Sequence, residues 1–180
     1  MQKLAKYHPL SKFLHWSIVF LVAIQFLTSF IMSGVGKNID PDMFLNLHMS
    51  FGVFVAPLAL ALLLMRFVRP VEAITTSTLK LQDRLAPAMH YVLYILLVII
   101  PFSGEAFASS HGVNVRVFGL FDLPALFAEG SSLGSAIGEA HSFLAWTTGV
   151  LVLGHIAAAI YHHVVMKDQV LVRMLPSSGK

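Results

Sequence analysis

Residues 139–163 read EAHSFLAWTTGVLVLGHIAAAIYHH, an apolar run that carries two well-separated histidines, His141 and His155. At 3.6 residues per turn, their spacing of fourteen residues is nearly four helical turns, so both imidazoles leave almost the same face. The rise of ~1.5 Å per residue sets them roughly 21 Å apart along the axis. That is most of a ~30 Å hydrocarbon core, which places one histidine near each side of a membrane. Titratable rings at such depths call for partners or for a function.

Composition supports the membrane reading. The chain of 180 residues is 57% hydrophobic and 12% charged, with a mean hydropathy of +0.77. A soluble domain carries about twice that charged fraction. Four apolar segments, at about 11–32, 43–67, 84–108 and 136–166, are each long enough to span a bilayer and use up most of a single domain, 1–180. The expectation is an all-α, four-helix transmembrane bundle. The first segment is long enough to remain as a span rather than to be cleaved as a signal. Pro101 lies inside the third, where a kink is tolerable in a membrane helix. Gly34, Gly36 and Asp40-Pro41 end the first segment. The longer loop from Ser109 to Gly138 contains an apolar patch, VFGLFDLPALF, suited to the membrane interface.

Ten of the twelve Lys and Arg residues lie in the N-terminus, the loop between the second and third spans, and the C-terminal tail: Lys3, Lys6, Lys12, Arg66, Arg69, Lys80, Arg84, Lys167, Arg173 and Lys180. Only Lys37 and Arg116 occupy the other two loops. The positive-inside rule therefore puts both termini in the cytoplasm. The pI near 9.3 reflects these flanks, and no basic cluster for nucleic acid stands on a soluble segment. With no cysteine, disulfides, thiolate-held zinc and iron–sulfur clusters are excluded, which leaves metal chemistry to the nine histidines.

With this topology the histidines sort by depth. His15 is about one turn inside the cytoplasmic end of its span, and His48 about a turn and a half from the outer end of its own. His48 thus shares the outer level with His141, and His15 the inner level with His155. A bis-histidine haem takes one ligand from each of two facing helices, so the two levels match two haems. A lone histidine in a membrane helix usually bonds a neighbouring helix, but four that pair by depth are hard to explain that way. Transport of zinc or copper without haem is the competing chemistry. It calls for carboxylates or methionine pairs inside the bundle, and the spans offer few.

At these residues the chain resembles the bacterial cytochrome b561 family, a branch of the diheme b-type cytochromes that includes membrane subunits of hydrogenases and formate dehydrogenases. The resemblance rests on LHW around His15, NLHMSFGV around His48, HYVLYILLVIIPFSG from His90, and EAH…GHIAAAIYHHVVMKD at the end. It covers nearly the whole chain and is weakest between Ser109 and Gly138. It implies two haem b groups with axial ligation by His15, His48, His141 and His155, quinone chemistry at the cytoplasmic side of a bacterial inner membrane, and electron exchange at the outer haem. Some members oxidise superoxide and pass its electron to ubiquinone.

Other residues have paired readings. His162 is two turns beyond His155 and fits either a quinone contact and proton relay, which the resemblance supports, or an interfacial anchor with Lys167. Lys80 and Arg84 are further candidates for the quinone site, and Arg66, Arg69 and Arg84 for pairing with haem propionates. His163 reads as an anchor, His90 as packing or a propionate or quinone contact, and Trp16 as an interfacial belt residue. Gly52 and Gly149 suit either haem clearance or helix packing. Arg116 could attract an anion, hold a propionate or simply be solvated.

The leading expectation is transmembrane electron transfer between a periplasmic donor and the quinone pool, through haems held by His15 with His155 and His48 with His141. Superoxide oxidation is an alternative, although the outer side carries two basic residues against six acidic ones: Asp40, Asp42, Glu105, Asp122, Glu129 and Glu139. The membrane anchor of a larger dehydrogenase is another. The partners expected are membrane lipid, quinone and an outer electron donor, small molecule or redox protein.

Overall fold

A computed structural model describes residues 6–35, 40–70 and 80–175, with side chains left undescribed at 34, 35, 41 and 80–84. Lys3, Lys37 and Lys180 lie outside the described residues, as do the side chains of Lys80 and Arg84. The chain is mostly helical. Four helical segments are long and apolar enough to cross a membrane: Pro9–Ser33, Asp42–Val68, Leu85–Ser110 and Ser132–Val164.

Local chemistry sets the helix starts. Helix α1 (Pro9–Phe30) begins with Pro9, whose missing N–H costs nothing in the first turn, and the His8 ring accepts from Leu10 N at 3.2 Å. A π-helical turn, Ile31–Val35, follows it. Helix α2 (Pro41–Gly52) repeats the device, with Asp40 accepting from Asp42 N at 3.0 Å ahead of Pro41. The second span is broken at Val53-Phe54 and resumes as α3 (Val55–Val68). Pro57 explains the break, since it has no N–H to give to the Val53 carbonyl one turn earlier. By contrast α4 (Lys80–Ser110) is a single helix through both Pro87 and Pro101, so Pro101 does not interrupt its span. Ser131 caps α5 (Ser132–Val164) by accepting from Gly134 N at 3.2 Å. A short α6 (Val170–Met174) closes the described chain.

The core is narrow. Leu14, Ile18 and Leu21 recur at helical spacing on α1 and pack against Val55, Ala59 and Leu62 of α3 and Tyr94 and Leu97 of α4. Outward positions are equally apolar, with Phe143 74% and Trp146 70% exposed, as expected where lipid is the solvent. Helix α5 lies along α4, while α1 lies on α2 and α3. Small residues allow the α4–α5 contact: a Cβ on Gly138 would sit 2.6 Å from the Phe107 backbone.

Two structures close the ends. Between α4 and α5, strands β1 (Arg116–Val117) and β2 (Phe121–Asp122) form a hairpin with Arg116 opposite Asp122. Its turn uses left-handed backbone at Phe118 (φ 48°) and Gly119 (φ 71°). The Phe118 conformation is held from outside: its N–H donates to the buried Ser50 hydroxyl at 2.8 Å, and its ring meets Phe51 and Phe54 beside the break between α2 and α3. At the other end, α6 is tied to α1. Lys12 Nζ donates to the Leu175 carbonyl at 2.8 Å, and the Trp16 indole donates to the Met174 carbonyl at 3.1 Å.

Candidate functional site

The histidine-bearing face of α5 looks across to α1 and α2. His141 meets His48 with ring centroids 6.2 Å apart and planes at 82°. His155 meets His15 at the same 6.2 Å, with planes at 60°. The structure thus brings together both pairs that depth selects. Neither pair is within hydrogen-bonding distance. The separation fits an intervening metal: two metal–imidazole bonds of about 2 Å and two ring radii of about 1.1 Å add to roughly 6 Å. The pairs offer two nitrogens each, and no group of three or more His, Asp or Glu is gathered as an ion site among the described residues.

Between the two levels the space closes. The Phe26 ring of α1 approaches α5 at Gly149, where a Cβ would lie 2.9 Å from its tip, and meets Trp146 edge-on at 6.3 Å. Gly149 therefore clears Phe26, and Gly52 faces the Gln25 carboxamide. Gly149 is thus needed for the approach of α1, whereas a Cβ at Gly52 would make only an ordinary contact of 3.7 Å. Thr148, midway between His141 and His155 on their face, is 2% exposed. Its hydroxyl is the buried side-chain polar atom without a partner among the described residues.

Oxygen atoms fix the imidazoles of the His48/His141 pair. His141 Nδ1 lies 3.1 Å from the Ile100 carbonyl, which can only accept, so Nδ1 carries the proton and Nε2 keeps a free lone pair. Ser103 Oγ donates to the same carbonyl at 2.8 Å and lies 3.1 Å from Nδ1. Gly104 makes room for this ring, since a Cβ there would meet His141 Cε1 at 3.0 Å. The Thr28 hydroxyl of α1 lies 3.1 Å from Nδ1 of His48 on α2 and gives its own proton to the Ile24 carbonyl at 2.8 Å. It therefore accepts from Nδ1–H and leaves His48 Nε2 bare. Gln25 Nε2 donates to the His48 carbonyl at 3.0 Å and fixes the helix there. Such partners set the tautomer and aim of a ligating histidine.

A third imidazole stands beside the His15/His155 pair. His90 Nδ1 bonds the Ala86 carbonyl at 2.6 Å, and its ring meets His155 edge-on at 5.2 Å. His162 does not join this group. Its Nδ1 bonds Asp168 Oδ2 at 2.5 Å, and the Asp168 N–H returns to the His162 carbonyl at 3.1 Å. Asp168 Oδ1 also accepts from Val170 N at 2.9 Å, so the pair anchors the start of α6. Of the residues read as a quinone set, His162 is thus built into a turn. The side chains of Lys80 and Arg84 lie outside what the structure describes. His163 is exposed. Trp16 is edge-on to His15 at 5.7 Å besides holding α6. Arg116 pairs with Asp122 at 3.8 Å on the surface.

Thr28, Ser103, Gly104 and Asp168 carry parts of this arrangement that the sequence reading did not single out. Ser103-Gly104 stands within a quoted family stretch, and a polar–small pair inside an apolar span is the signal that could have found it.

The chain matches the family described as "Prokaryotic cytochrome b561" over residues 6–177. It belongs to the prokaryotic cytochrome b561 family. Among its relatives, "Cytochrome b561 homolog 2" of Escherichia coli (strain K12) is 34% identical over 134 residues, 74% of this chain and 71% of that protein. "Probable superoxide oxidase CybB" of Yersinia pestis is 28% identical over 171 residues, 95% of this chain and 96% of that protein. "Cytochrome b561 homolog 1" of Escherichia coli (strain K12) is 26% identical over 165 residues, 91% of this chain and 93% of that protein. Membership in the cytochrome b561 family implies b-type haem and membrane electron transfer. The four apolar helices agree with a multi-pass protein of the bacterial inner membrane.

Proposed function

We propose that this cytochrome carries electrons between a donor on the outer side of the membrane and quinone at the inner side, with two b-type haems bound in the His48/His141 and His15/His155 gaps. The observation that carries this reading is the repeated 6.2 Å separation of the two histidine pairs. Haem bound there supplies reversible one-electron transfer, with its potential set by axial ligands and surroundings. The chain contributes the rest. Thr28, Ile100 and Ser103 hold the outer imidazoles with Nε2 free, Gly104 admits the His141 ring, and Phe26 with Gly149 keeps the two gaps apart. The basic ends support cytoplasmic termini, which makes the His15/His155 pair the inner one. His162, with Asp168 fixing its Nδ1, remains the candidate quinone contact, with Lys80 and Arg84 as candidate companions.

Haem content by pyridine haemochrome tests the reading. Wild type should hold two haems per chain, and His141→Ala and His155→Ala about one each. A single haem in wild type would mean that one histidine pair is not a ligand pair, and none would sink the cytochrome reading for this chain. The relative named as a probable superoxide oxidase favours a second reading, with superoxide as the outer donor. Superoxide-dependent quinone reduction by the purified protein separates the two.

A further inference from the structure

A cavity of ≈ 350 Å³ opens beside the inner histidine pair, with His15, His90, Tyr94, Ser11, Arg66 and Arg69 in its wall. Arg66 stands in the last turn of α3, and its guanidinium lies over the Tyr91 ring, 5.7 Å from the centroid. A guanidinium stacked this way keeps its N–H donors available at the edge. Among the described residues the ion pairs are Arg116 with Asp122 and His162 with Asp168, so no carboxylate balances Arg66 or Arg69 there. Tyr94, 9% exposed, and Ser11 add hydroxyl donors to the same wall. Cations and donors with no carboxylate partner among the described residues, in a recess partly closed by protein, suit a planar anion with two oxygens; an arginine binds a carboxylate through two parallel bonds. Haem b brings carboxylates of its own, as propionates.

We propose that Arg66 binds a propionate carboxylate of the haem held between His15 and His155, with Tyr94 as a second donor. The proposal rests on the haem reading above. It gives the inner haem a charge-assisted contact from the cavity wall. A cation at this position favours the reduced haem, so its loss lowers that haem's midpoint potential.

The test compares wild type, Arg66→Gln and Arg66→Lys as purified, haem-loaded protein, by resonance Raman of the propionate bending band and by redox titration. Arg66→Gln should move the band of one haem and lower the midpoint of that haem alone, with the second haem as internal control. Arg66→Lys should recover part of the midpoint but not the band, because it restores charge without the fork. If Arg66→Gln fails to assemble, Arg66→Lys decides, and a wild-type band in it overturns the proposal. An unmoved band in Arg66→Gln also overturns it, as does a midpoint that follows Arg66 only in vesicles of anionic phospholipid, which would make the anion a lipid phosphate. Wild type without haem overturns the underlying reading and the proposal with it; normal haem content with an unmoved band overturns the proposal alone.

Discussion

Thr28 and Ser103 each spend their hydroxyl proton on a carbonyl of their own helix and turn an oxygen lone pair toward a histidine on a neighbouring one. A hydroxyl in a membrane helix commonly makes the first of these bonds and nothing more. That is why neither residue stood out in the sequence, whereas His141 and His155 did by their spacing. Thr28→Val should leave His48 Nδ1–H without its acceptor and weaken haem binding at the outer pair by about 10–100-fold, the usual effect of removing such a partner. Haem retained per chain on dilution in detergent measures it, and full retention with an unchanged spectrum would show that Thr28 does not hold the ring. Thr148→Val removes a buried hydroxyl that makes no bond and keeps the shape. Its thermal midpoint should stay level or rise, by up to about 1 kcal/mol of stability; a clear drop would reveal a partner for that hydroxyl.

Helices α4 and α5 form the most extensive contact between elements, and a Cβ at Gly138 would lie 2.6 Å from the Phe107 backbone. Gly138→Leu has nowhere to put its side chain except into the Phe107 backbone. It should cost at least the ~1–3 kcal/mol typical of overpacking and lower the thermal midpoint in detergent. Because α5 supplies one histidine to each pair, haem should be lost from both levels; loss from one alone would mean that the helix yields locally. The four apolar runs were readable because each is long, apolar and ended by Gly, Pro or charge. The break in the second span was not read, although Pro57 announces it, and Pro101 drew attention to a helix that continues through it. The hairpin escaped notice for another reason. Its strands have two residues each, too few to show alternation, and only the Phe118-Gly119 turn leaves a trace. Asp168, six residues from His162 across a turn, lies beyond any helical spacing rule.

Across the whole molecule, the basic ends and the acidic loops between them predict an orientation open to direct measurement. Alkaline phosphatase fused after Lys180 should be inactive and fused within the loop at 123–130 should be active; the reverse would exchange the inner and outer pairs. Lys12 and Trp16 join the first helix to the Leu175 and Met174 carbonyls at the end of α6. The order of synthesis gives the histidine geometry a further meaning. Each pair joins a histidine made early, His15 or His48, to one made late, and both late ones belong to α5. A ribosome that has delivered three spans has produced half of each site and neither whole. Cofactor capture is thereby deferred to the last helix, and a nascent chain cut short before Glu139 should leave the membrane colourless rather than half loaded.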